Sequence, residues 1–148
     1  MTDSTADATH TAIPTVVYER ATRSAIAMLK ANEKARRVLP QTEVDEDRLP
    51  RTHLLPAGQG WQAPHPLLVA AYFNHFKDHF PDYGTDDRLA ELLGVSSARR
   101  LREYKQGVAK VPYHVWRQFL VMTGRVPPTI TRVFAFMGEQ DGQRELKI

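Results

Sequence analysis

The sequence predicts an all-α protein. Apolar residues recur at helical spacing in six segments, and prolines, serines and threonines open those segments while glycines or prolines close them. No stretch of useful length alternates apolar and polar residues with period two, and no internal repeat is present. The chain has 148 residues, 42% of them hydrophobic, which suits one domain with a modest core and one or two arms.

Four boundaries follow from the pattern. Residues 1–13 are polar and lack periodicity, so they read as a disordered tail. Residues 14–63 hold an N-terminal helix, running from Pro14 to Leu39 on Val17, Ala21, Ile26 and Leu29, and then a Pro/Gly-rich connection. Trp61 is expected to pin that connection onto the core. Residues 64–138 form the main helical domain, and 139–148 a second tail.

Within 64–138 each helix has its own punctuation. "HPLLVAAYFNHFKDHF" places Leu68, Val69, Tyr72, Phe73, Phe76 and Phe80 on one wide face before Pro81. "TDDRLAELLG" offers Thr85 as N-cap, acids in the first turn, and Gly94 as the stop. Ser96 or Ser97 caps the next helix, whose inward residues are Ala98, Leu101 and Tyr104 and which ends at Gly107. Pro112 opens another, with Val115, Trp116, Phe119 and Leu120 inward and Gly124 as its stop. Ile130, Val133, Phe134 and Met137, at i, i+3, i+4 and i+7 between Pro128 and Gly138, predict a C-terminal helix.

The net charge of +3 says little, but its distribution says more. Arg99, Arg100, Arg102, Lys105, Lys110, Arg117 and Arg125 stand against the single acid Glu103, so residues 99–125 carry +6. A basic cluster on a near-neutral chain is a footprint for a polyanion, or else a solvated helix face. With Ala98, Leu101 and Tyr104 inward, helical geometry sends Ser97, Arg99, Arg100, Arg102 and Glu103 outward.

"LAELLGVS" (Leu89 to Ser96), followed by Leu101, Tyr104, Gly107, Pro112 and the Trp116 helix, resembles the lambda-repressor-like, or Xre-type, helix-turn-helix family over about residues 64–124. The resemblance implies a lambda-repressor-like bundle, here with an additional N-terminal helix and a C-terminal helix. It further implies sequence-specific binding of double-stranded DNA, a transcriptional regulator of prokaryotic, phage or mobile-element type, and a homodimer. The DNA-binding residues would be Ser97, Arg99, Arg100, Arg102, Glu103, Lys105, Gln106 and Lys110. Arginines at the helix N-terminus would read base edges, while Lys105, Lys110 and the following turn would hold phosphates. Two features depart from the family pattern. The interval from Gly94 to Gly107 is one residue longer, the extra residue falling between Val95 and Leu101. Asp86 lies where a neutral or basic side chain commonly faces a phosphate, and an acid there would repel DNA.

Other chemistry finds little footing. Without cysteine there is neither a disulfide nor a thiolate metal site, and a reducing cytoplasm is the expected compartment. His75 and His79 share a helical face, but no further ligand completes a metal site. "PAGQGW" lacks the lysine of a phosphate loop, and no serine sits in a nucleophile elbow. No enzyme, cofactor or metal is expected. The N-terminus is unlike a signal peptide, and no apolar run approaches the ~20 residues of a membrane span. The alternative function is a helix-turn-helix-fold adaptor or inhibitor that docks a protein partner through the N-terminal helix.

Overall fold

The structure, a computed structural model, describes residues 12–138. They are all-helical, with no strand among them. The five α-helices are α1 (Thr15–Asn32), α2 (Pro66–His79), α3 (Asp86–Leu93), α4 (Ala98–Gln106) and α5 (Tyr113–Met122). Short 3-10 turns stand at Glu46–Arg48, Thr52–Leu54 and Pro81–Tyr83. The chain divides into two compact units, one of residues 38–129 and one containing α1 together with the segment from Ile130 onward. The tail expected over 1–13 lies outside the described residues except for Ala12 and Ile13, and the tail at 139–148 lies wholly outside them.

In the 38–129 unit three of the four α-helices start where a side chain accepts an orphan backbone N–H, whereas α5 follows Pro112 without such a cap. His65 Nδ1 takes Leu67 N at 3.1 Å, Thr85 Oγ1 takes Arg88 N, and Ser97 Oγ takes Arg100 N, both at 3.2 Å. Pro66 fits the first turn of α2, where no N–H is needed. Gly94 and Gly107 end α3 and α4 in the left-handed region, at φ 69° and 79°. Gly107 has a second constraint, because a Cβ there would stand 2.8 Å from Pro66 Cγ. Ser97 is extended, with φ −160°, and α4 begins at Ala98.

The core joins α2, α3, α4 and α5. Phe73, Leu89, Leu101, Trp116, Phe119 and Leu120 have no accessible surface, and such a side chain contributes about 1.5–3 kcal/mol of transfer free energy. Tyr72 stacks on Trp116 (centroids 5.6 Å, 10° between planes) and Phe73 meets Phe119 edge-on at 5.0 Å. The motif residues Leu89, Ala90, Leu93, Leu101 and Tyr104 are buried, with Leu92 and Val95 packed against them.

Three expectations need correction. The C-terminal helix does not form: residues 129–137 have no regular secondary structure. Its apolar spacing matched a helix, but Thr129, Ile130, Thr131 and Val133 are β-branched, follow two prolines, and lose χ1 freedom in a helix. The N-terminal helix ends at Asn32 rather than Leu39. Pro40 pushes Leu39 out of the helical region, and the Leu39 carbonyl instead faces His75 Nε2 at 2.8 Å. The connection at 40–63, grouped with the N-terminal helix in the sequence boundaries, belongs to the compact 38–129 unit; Trp61 packs on the core as expected, with Leu49 and Leu54 also on it and His53 buried in it.

Candidate nucleic-acid interface

The outer face of α4 presents Arg99, Arg100, Arg102 and Gln106, all exposed. Arg99, Arg102 and Gln106 fall at i, i+3 and i+7 and so share one stripe. Arg99 has no ion-pair partner among the described residues. Arg100 reaches Glu103 at 3.3 Å on the neighbouring stripe. Ser97 is exposed, and its hydroxyl already caps the helix. Lys110 is exposed beyond α4, beside an open groove of about 570 Å³ lined by Trp61, Gln62, Ala63, Val111 and Pro112.

The basic run of 99–125 does not form one face. Arg117 turns inward to donate to the Leu54 carbonyl at 3.1 Å, with its Nε buried and without a hydrogen-bond partner. Arg125 lies over the Tyr72 ring, 3.7 Å from the centroid. Lys105 points to Asp86 at 3.2 Å, and its side chain is only 17% exposed against 51% for Arg102. Arg99, Arg100, Arg102 and Lys110 are therefore the outward cations of the seven.

Asp86 is the hub of this charge arrangement. At the first position of α3 it accepts from Lys77 Nζ of α2 at 2.8 Å and from Lys105 Nζ of α4, and Arg102 NH1 stands 3.8 Å away. Burial alone would raise its carboxyl. The hydrogen bonds and charges of Lys77 and Lys105 outweigh that and hold it below the usual carboxylate range. Burial depresses the Lys105 ammonium, with Asp86 opposing the shift and Lys77 adding to it. The acid that looked repulsive beside a polyanion is thus enclosed by three cations. Lys77 had no signal in the sequence, because its place depends on how α2 packs beside α3.

A second polar cluster ties the connection to the helices. The Tyr72 hydroxyl donates to Glu46 Oε1, and Gln41 Nε2 donates to Glu46 Oε2 at 3.1 Å. Burial pushes Glu46 up, but the bonds from Tyr72 and Gln41 and the charges of Arg125 and Arg51 bring it below the usual range. Burial first, and the Glu46 hydrogen bond second, push the Tyr72 phenol up to about 12. Trp116 Nε1 donates to His53 Nδ1 at 3.0 Å, and Trp61 Nε1 donates to the His53 carbonyl at 3.1 Å.

His75 and His79 use their rings on carbonyls, at Leu39 O and His75 O. Among the described residues no three His, Asp or Glu side chains are grouped to hold a metal ion, and no helix is long and apolar enough to cross a membrane. Comparison of the chain with protein-family models, with curated proteins and with solved structures returned no match.

Proposed function

We propose that the chain binds double-stranded DNA sequence-specifically through α4 and acts as a transcriptional regulator of prokaryotic, phage or mobile-element type. On this reading α3, the Gly94–Ser97 turn and α4 act as a lambda-repressor-like helix-turn-helix. The observation that carries it is the outer face of α4, where three exposed arginines stand at a capped helix N-terminus and none is needed to close the core. A guanidinium paired to a guanine edge in the major groove discriminates by about 1–3 kcal/mol. Lys110, at the entrance to α5, is placed to hold a phosphate and set register.

The test is a gel-shift titration on duplex DNA at two salt concentrations. Affinity falls steeply with salt, and the Arg99→Ala/Arg100→Ala/Arg102→Ala variant loses binding while keeping its unfolding transition, since all three side chains are exposed. Each arginine that sits on a phosphate lowers the salt slope by about one unit when removed. Absence of binding to random duplex even at low salt defeats this reading. It then favours the second one, a helix-turn-helix-fold adaptor or inhibitor of a protein, which draws on the exposure of every residue of α1.

A further inference from the structure

The groove beside Lys110 has two unlike sides. Its volume of about 570 Å³ lies within the range of small-molecule sites, which are mostly apolar and carry a few placed polar groups. Trp61, Ala63, Val111 and Pro112 form the apolar wall. Trp61 is only half-buried, yet its ring is fixed. Nε1 donates to the His53 carbonyl at 3.1 Å, and the ring stands edge-on to that of Tyr113 at 5.2 Å. With its N–H already used, the indole offers a ligand an apolar face held in one orientation.

The polar side chains of the groove supply donors. Lys110 is exposed and has no ion-pair partner among the described residues, unlike Lys77 and Lys105, which share Asp86. Gln62 accepts the Thr52 hydroxyl on Oε1 at 3.0 Å, so its amide nitrogen is the polar atom left for a ligand. One ammonium and one amide match the two oxygens of a carboxylate. They fall short of a phosphate, which brings three strong acceptor oxygens and a charge of about −1.5 to −2. We infer that this groove binds a small aromatic carboxylate, with its ring on Trp61 and Pro112 and its carboxylate on Lys110 and Gln62. Such an anion occupies the lysine proposed to hold a DNA phosphate, so it weakens duplex binding. That consequence rests on the DNA reading, whereas the groove itself does not.

Titration of the full chain with benzoate, benzamide and acetate tests this without DNA, followed by NMR on the tryptophan indole N–H signals. The chain has two tryptophans, and the fully buried Trp116 serves as internal control. Benzoate moves the Trp61 signal saturably, with a midpoint of about 1 mM or below, and leaves that of Trp116 in place. Benzamide lacks the charge and acetate lacks the ring, and each binds at least about tenfold more weakly. Lys110→Gln weakens benzoate binding about tenfold, whereas Arg88→Ala, which removes an exposed cation of α3, leaves the midpoint unchanged. Both side chains are exposed, so both variants keep the unfolding transition of the unmodified chain. No saturable shift up to about 10 mM overturns the inference. So does benzamide matching benzoate, an unaltered midpoint in Lys110→Gln, or inorganic phosphate displacing benzoate at equal concentration. In gel shifts, saturating benzoate lowers duplex affinity about threefold for the unmodified chain and leaves that of Lys110→Gln unchanged. Equal duplex affinity with and without benzoate overturns the coupling to DNA. Absence of duplex binding defeats the DNA reading alone, and the titration then decides the groove.

Discussion

His53 is bonded to two tryptophans at once, taking the Trp116 indole N–H on Nδ1 and the Trp61 indole N–H on its carbonyl. The first bond needs an unprotonated Nδ1. Burial pushes the imidazole below its ordinary value of 6.5; Glu46 opposes the shift, and Arg125 and Arg51 add to it. The unfolded chain therefore takes up a proton at a higher pH than the native chain does. His53 contributes full stability above about pH 6.5, and that contribution declines as pH falls from there through the lower native value. His53→Asn keeps an acceptor near the Nδ1 position and removes the titration. It costs about 1–2 kcal/mol near neutral pH through lost ring contacts with Tyr72 and Trp116. In urea unfolding at a series of pH values, the gap between the native chain and His53→Asn narrows between pH 7 and pH 5. A gap that stays constant over that range means His53 is not held neutral by the fold.

Asp86 gives the corresponding test for α3 and α4. Removing its charge leaves Lys77 and Lys105, both mostly buried, without an anion between them. Asp86→Asn costs about 2 kcal/mol of stability, read as a lower urea midpoint. The same change releases Lys105 and Arg102 beside the proposed DNA face, so non-specific duplex affinity at low salt rises about tenfold and the salt slope steepens. If affinity instead falls along with stability, Asp86 serves the packing of α2, α3 and α4 alone. Much at this scale was legible in the sequence, because Thr85, Ser97, Gly94 and Gly107 act on the backbone within a few residues of themselves. The three outward arginines were legible through the period of α4, whereas Lys110 lies beyond that helix. The Asp86 hub was not, since Lys77 reaches it from another helix. Of the packing of the connection only the anchoring by Trp61 was expected; the meeting of His53 with Trp116 across 63 residues of sequence was not. At 129–137 the apolar period was real, but local β-branching and the two prolines prevailed over it.

For the molecule as a whole, every buried residue among those described lies between Gln41 and Leu120. The packing that resists unfolding is thus confined to one of the two compact units, and it includes the connection that sequence boundaries had assigned elsewhere. A fragment of residues 38–129 keeps the whole buried core, both tryptophans and the outer face of α4. It unfolds in one cooperative step by tryptophan fluorescence, with a urea midpoint that implies a stability within about 1 kcal/mol of the full chain. A loss of several kcal/mol, or a broad non-cooperative transition, would mean that residues outside 38–129 supply packing to this core. A fragment beginning at residue 64 discriminates further, because it discards Gln41, Glu46, His53 and Trp61. It leaves Tyr72, Arg117 and the Trp116 indole N–H without the partners they have in the full chain. That shorter fragment is several kcal/mol less stable than 38–129, since three buried or half-buried polar groups then have no acceptor. Equal midpoints for the two fragments would show that the connection only covers the core. The expected difference would make it part of the smallest stable unit that carries α4.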